Sequence, residues 1–294
     1  MSAIDFKRML AEERAKALRQ SEPSSSGGTA REPGRADSSK LTPVLSCRFA
    51  LDEAYTRPAI QAPEFRLPHF LDAGGVARGN VLYIPDFITP ADEVSLLHDC
   101  IGIDATMPHW VQLKRRRLLC FGASEPTPPS AGWPEWCDQL GALVGEPQIG
   151  LPINHALVNE YHPGEGILAH QDGPNYVGRV CILSLSSPVC IHFLSRVPSI
   201  EDSTSAHMVA QLVLEPRSLL VFEDWFYTSV WHAIPEADTV ALADSTSVLT
   251  NHSRLSGAYQ KELKRTRKRV SITLRHKFPS CTETPQVRTP EGMS

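Results

Sequence analysis

The sequence predicts a mainly β (α+β) fold, an antiparallel sandwich or jelly roll with flanking helices and disordered tails. Three observations carry this expectation. Short β-type runs follow one another in the second half: VCILSLSS (180–187), CIHFLS (190–195), AQLVLEP (210–216), SLLVFED (218–224), WFYTSVWHAI (225–234) and VSITLRHKF (270–278). Turn signals separate them and helical periodicity is scarce, as in antiparallel β architectures. The length of 294 residues, with 41% hydrophobic content, suits one larger β-rich domain with tails.

The elements can be justified in chain order. Residues 4–20 carry helix formers with Ile4, Met9, Leu10, Ala15 and Leu18 as apolar positions, which predicts a short amphipathic helix. Residues 21–42 are rich in Ser, Gly and Pro and bury too little to order themselves, so 1–75 is read as an N-terminal helix with a flexible linker. The folded domain is expected over 80–278. VLYIPDF (81–87) reads as a strand, and Thr89-Pro90-Ala91-Asp92 supplies an N-cap, a proline at the first helical position and an acid at the third. The helix should run through Val94, Leu96, Leu97 and Cys100. Residues 110–122 place Lys114 to Arg117 between aromatic and aliphatic neighbours, a basic hairpin able to hold phosphates and stack a base. The same pattern also fits a solvated edge strand. A short helix is expected at 134–144, an excursion loop at 235–260 and a tail at 279–294.

Composition narrows the function classes. No apolar run reaches the roughly 18 residues of a membrane span, and the charged start MSAIDFKRML lacks a secretory core. Seven cysteines without a C-x-x-C pair suggest neither a disulfide framework nor a zinc knot. A reducing compartment, nucleus or cytoplasm, fits them. The chain is net acidic at −4, yet residues 261–277 hold eight Lys/Arg against one Glu. That run fits either a polyanion-facing patch or a solvated loop.

The chemistry centres on His170-Gln171-Asp172. In an extended strand, residues two apart share a face, so one imidazole and one carboxylate can close on a metal ion. Gly173-Pro174 then turns the chain. Two imidazoles and a carboxylate with open positions form the facial triad of non-haem Fe(II) oxygenases. A third ligand must come from far away, and His232, at the end of WFYTSVWHAI, is a candidate. Arg269 and Arg275 are evenly spaced on one strand and so share a face, where burial requires an anionic partner, and a dicarboxylate suits their forks. Asn159 and Tyr161 share a face in the same way.

The ordered series NHALVNEYHPGEGILAHQD, WHAI and RVSITLR resembles the AlkB-like branch of Fe(II)/2-oxoglutarate dioxygenases, over roughly residues 80–278. The IPDF opening, the W-x-x-L-x-x-R-R-L segment and the EPRSLLVF strand look closest to its sixth-homologue group. The resemblance implies a double-stranded β-helix, a distorted jelly roll. It implies Fe(II) held by His170, Asp172 and His232, and 2-oxoglutarate held by Arg269, Arg275, Asn159 and Tyr161, with dioxygen as oxidant. It further implies oxidative demethylation of an N-alkylated base in methylated RNA or DNA, with Trp110, Arg116, Arg117 and Phe121 as candidate substrate residues. Where relatives commonly carry Gln-Asn-aromatic after the arginines, this chain has Leu119-Cys120-Phe121. That departure leaves open the same chemistry on a protein or small molecule, and a non-catalytic binding module is the reading from another class.

Overall fold

A computed structural model describes residues 48–49, 51–56, 81–102, 110–122, 133–144, 151–195, 208–244, 248–257, 259 and 261–278. The expected helix at 4–20, the Ser/Gly/Pro-rich stretch at 21–42 and the C-terminal tail lie outside these residues; within the 1–75 region, Phe49 is described and is buried in the helix-side core. Strand β1 (Val81–Ile84) leads into helix α1 (Pro90–Ser95), which continues as a π-helical turn over Leu96–Cys100. The capping box forms as its sequence predicts: the Thr89 hydroxyl accepts from the Asp92 N–H at 3.1 Å, and the Asp92 carboxylate accepts from the Thr89 N–H at 2.9 Å. Next come β2 (Val111–Gln112), β3 (Arg117–Gly122) and helix α2 (Glu135–Val144). Trp136, Cys137, Leu140 and Val144 form its buried stripe.

The remaining strands are β4 (His155–Tyr161), β5 (Ile167–His170), β6 (Arg179–Leu185), β7 (Val189–Leu194), β8 (Met208–Leu214), β9 (Leu219–Glu223), β10 (Trp231–Ile234), β11 (Thr239–Ala241), β12 (Leu249–Thr250), β13 (Glu262–Lys264) and β14 (Arg269–Arg275). They form a seven-stranded sheet in the order β1-β9-β6-β14-β4-β3-β2, a five-stranded sheet β12-β8-β7-β10-β5, and a small β11-β13 pair. The mainly β, jelly-roll class is therefore the observed one.

Period-two alternation divides the large sheet into two faces. Val270, Ile272 and Leu274 of β14, Ala156 and Val158 of β4, and Leu219 and Val221 of β9 join the helices in one core. The opposite faces of β6 and β9, through Val180, Ile182, Leu220 and Phe222, meet the five-stranded sheet in a second core. Phe121 belongs to the first core. It is fully buried with its ring edge-on to Trp136, centroids 5.2 Å apart. The expectation that Phe121 contacts substrate is therefore corrected: its strand parity turns it toward the helices. Gly122, next along, has φ +79, and a Cβ there would lie 2.1 Å from the Asn154 carbonyl. Only glycine fits that approach of β3 to the start of β4.

Two further expectations change. WFYTSVWHAI is not one strand: Trp225–Thr228 forms a short helix, α3, and β10 begins at Trp231. Asp224 takes φ +54, which breaks the extended path before the aromatic residues. The 235–260 region is not wholly a loop, since it contributes β11, β12 and the buried Asn251, whose amide bridges the N–H and carbonyl of Val213. The basic run is also partly structural. Arg265 is buried and donates to the carbonyls of His162, Glu165, Pro235 and Ala237. Among the described residues no helix is long and apolar enough to cross a membrane.

Replacing Phe121 by alanine should cost about 3–5 kcal/mol, as for other buried aromatic truncations, read as a lower urea midpoint.

Candidate metal centre and cosubstrate pocket

Strand pairing brings the two histidines together. His232 of β10 is the direct antiparallel partner of His170 at the end of β5, and their rings lie 4.3 Å apart centre to centre. Asp172 stands just beyond β5, before Gly173 turns with φ +86. The strand thus ends sooner than the H-x-D spacing suggests, but the convergence holds. Nitrogen and oxygen atoms of His170, Asp172 and His232 all lie within 4.8 Å of one another, and all three residues are buried.

Neighbouring groups orient each donor. The Nδ1–H of His170 donates to the Leu168 carbonyl at 2.9 Å, which leaves Nε2 to bind a metal. Arg275 donates to Oδ1 of Asp172 at 2.7 Å, crossing from the large sheet to the small one. Oδ2 of Asp172 is buried with no protein hydrogen-bond partner, an orphaned ligand atom of the kind a cation satisfies. Burial lowers the His170 imidazole to about 3, with His232 adding to the effect, and burial also lowers His232. Both rings are therefore neutral near pH 7, as metal ligands must be. Burial pushes the Asp172 carboxyl up, but Arg275 and the neighbouring imidazoles outweigh this and hold it below the usual carboxylate range. The donor set and its protonation fit a divalent iron site.

A cavity between the sheets joins this centre to the arginine strand. His170, Asp172, His232, Asn159, Tyr161, Arg269, Ser271 and Arg275 all line it. The predicted cosubstrate residues thus gather around the predicted metal ligands. β14 makes this possible by alternation: Arg269, Ser271, Thr273 and Arg275 face the cavity while Val270, Ile272 and Leu274 enter the core. Register aligns Arg269 with Tyr161, Ser271 with Asn159 and Arg275 with His155. Arg269 is fully buried, yet its partners are hydroxyls, Ser271 at 2.9 Å and Ser184 at 3.0 Å. Burial drives its proton affinity down to about 10. A desolvated guanidinium with no carboxylate among the described residues suits an incoming carboxylate.

Three of the four predicted substrate residues face elsewhere. Arg117 is held by Glu160 in a two-pronged pair at 2.6 and 2.8 Å and lies over the Trp110 ring at 4.3 Å. Trp110 in turn packs against the helix-side core. Arg117 and Trp110, like Phe121, belong to the outer side of the hairpin. Arg116, in the turn before β3, is fully buried but does not line the cavity.

Sequence reasoning missed several residues. Ser271 and Thr273 were legible as the residues two and four past Arg269. Cys120, whose Sγ lies 3.3 Å from His155 Nε2, and His155 itself, 3.5 Å from Arg275, come together only through the β3-β4 register. Ser184 carries no local signal at all.

The model of the 2OG-Fe(II) oxygenase superfamily matches residues 122–275. The chain belongs to that superfamily and is an oxidoreductase of the iron- and 2-oxoglutarate-dependent kind. Within it the chain is AlkB-like. A Danio rerio protein described as a probable RNA/DNA demethylase, ALKBH6, is 32% identical over 210 residues, spanning 67% of this chain and 85% of that protein. An Arabidopsis thaliana protein described as an alkylated DNA repair protein ALKBH8 homolog is 25% identical over 216 residues, 65% of this chain and 56% of that one. The solved structure of OsALKBH1 aligns over 68% of this chain and 98% of its own, at 13% identity and a TM-score of 0.42.

The lowered histidines predict the sign of the pH response. Their unfolded counterparts take up protons below about pH 6.5 while the folded rings do not, so stability of the metal-free protein falls with acidification. Between about pH 7.5 and 5.5 His170, lowered to about 3, should contribute about 1 kcal/mol of loss, with His232 adding in the same direction, measured as urea midpoints at the two pH values.

Proposed function

We propose that the chain oxidatively demethylates an N-alkylated nucleobase in RNA or DNA, with Fe(II) on His170, Asp172 and His232 and 2-oxoglutarate on Arg269. The observation that carries this is the buried Arg269, lacking a carboxylate, in one cavity with three converging metal-ligand side chains. The printed descriptions of the Danio and Arabidopsis relatives support the nucleic-acid part.

When bound, iron(II) with 2-oxoglutarate and dioxygen supplies the oxidation: the keto-acid is decarboxylated to succinate and one oxygen atom enters a substrate C–H bond. An N-methyl group hydroxylated in this way collapses to formaldehyde and the demethylated amine. The chain contributes placement. Leu168 fixes the His170 ring, and Arg275 fixes Asp172 with Oδ2 free of protein donors. Arg269 receives the distal carboxylate between Ser184 and Ser271, and the amide of Asn159 and phenol of Tyr161 reach the same space. Ile167, Ile182, Ile191 and Ile234 wall the cavity and exclude water. Of the basic run, Lys261 and Arg267 remain exposed to meet phosphates, while exposed Lys264 pairs with Glu262 at 3.1 Å.

A second reading keeps the chemistry but takes a protein or small-molecule substrate. The Leu119-Cys120-Phe121 departure motivates it, with Phe121 turned into the core.

Iron-loaded protein should convert 2-oxoglutarate to succinate and release formaldehyde from a methylated oligonucleotide. Succinate without turnover of any modified base would favour the second reading. His170→Ala should abolish succinate formation, whereas a non-catalytic module would show none in the wild type. Arg269→Gln should weaken 2-oxoglutarate binding about 10–100-fold, the size expected for losing a charge-assisted contact, measured as a dissociation constant by calorimetry.

A further inference from the structure

Arg275 fixes the carboxylate of Asp172 but not the backbone that carries it. β5 ends at His170, so Asp172 lies beyond the strand ladder, and Gly173 then bends the chain with φ +86. Both sequence neighbours of Asp172 are tied to α3. The Gln171 side-chain amide donates to the Thr228 carbonyl at 3.0 Å. On the other side the Tyr227 hydroxyl donates to the Gly173 carbonyl, with the Tyr176 carbonyl also within reach at 3.3 Å. Tyr227 is buried, and burial together with the Asp172 carboxylate pushes its phenol up, so the hydroxyl keeps the proton it donates.

The helix that makes these two contacts is itself firmly seated. Phe226 is buried in the inter-sheet core, edge-on to Phe193 with centroids 5.2 Å apart. The Asp224 carbonyl accepts from the N–H groups of Tyr227 and Thr228 and from the Thr228 hydroxyl. Asp224 itself takes φ +54 and ψ −119, a backbone shape that residues other than glycine rarely adopt. Strain of this kind persists where the surroundings hold it, and it gathers at functional sites. Here it diverts the chain into α3, from which Ser229 and Val230 lead straight to β10 and His232. One short element therefore carries one metal-ligand side chain along its own chain and brackets a second by hydrogen bonds.

We infer that Tyr227 is a positioning residue for the metal centre: by holding the Gly173 carbonyl it sets the Asp172 carboxylate against the two imidazoles, with Gln171 as a second tether. This rests on the ligand set of His170, Asp172 and His232 and is independent of the substrate.

Cobalt(II) is the probe, because it takes nitrogen and oxygen ligands and its visible absorption reports their geometry. The full-length protein is titrated with cobalt(II), and urea midpoints are taken on the same proteins without metal. Tyr227→Phe keeps the ring and removes only the hydroxyl. It should weaken cobalt binding about tenfold, the lower end of what partners of metal ligands typically contribute, and it should shift the cobalt absorption band. Gln171→Ala should act in the same direction by a smaller factor. Wild-type affinity in a folded Tyr227→Phe protein overturns the inference. So does a lower urea midpoint with the absorption band unmoved, since that is the mark of a merely structural contact. If Tyr227→Phe does not fold, Gln171→Ala decides on the same two readouts, because its contact lies near the surface. His170→Ala separates this inference from the reading beneath it. Cobalt binding that His170→Ala abolishes and Tyr227→Phe leaves untouched overturns the role of Tyr227 alone, whereas no cobalt binding by the wild type overturns the ligand set as well.

Discussion

The structure depends on one constraint: β14 carries polar and charged side chains on one face and aliphatic ones on the other, and β4 follows it with Asn159 and Tyr161 toward the cavity and Ala156 and Val158 toward the core. The aliphatic face is held by the helix-side core, so neither strand can slip by one residue without reversing both faces. That anchoring is what keeps two guanidiniums, Arg269 and Arg275, fully buried between the sheets. Buried charge is costly unless matched. Arg275 finds its match in Asp172 and so links the sheets at the metal centre, while Arg269 rests on two hydroxyls. The first arrangement is self-contained. In the proposed reading the second is completed by 2-oxoglutarate, and the difference between them would divide the cavity into a metal-facing end and a carboxylate-receiving end.

The small sheet supplies the rest by pairing alone. Because His170 and His232 are opposite residues on neighbouring strands, 62 positions of sequence separation collapse to adjacent rings. No loop has to be ordered to bring them together. Asp172, just past the strand end, is the one ligand whose placement needs outside help, and Arg275 provides it.

Much of this was legible in the residues because it follows from period two. RVSITLR and HALVNEY state their faces by alternation, and the Thr89 capping box states its helix start. Failures came where a residue's type was read without its face. Trp110, Arg117 and Phe121 look like substrate groups by chemistry, but the tight turn joining the Leu113 N–H to the Arg116 carbonyl sets a parity that turns Arg117 and Phe121 away. Similarly, Trp225, Phe226 and Tyr227 have high β propensity, yet the positive φ of Asp224 ends the extended path first and they fold as a helical turn. Contacts made across strands, such as Ser184 with Arg269 or Cys120 with His155, leave no trace in local sequence.

Arg265 has a consequence of a different kind. Its guanidinium gathers the β4-β5 connection and the stretch after β10 by their main-chain oxygens, not by their side chains. A fastening of that sort is indifferent to which residues occupy positions 162, 165, 235 and 237, provided the path of the backbone is kept. The rim at that end is thus free to diverge in surface chemistry while its outline stays put, which gives evolution a place to retune what the enzyme meets without disturbing what it does.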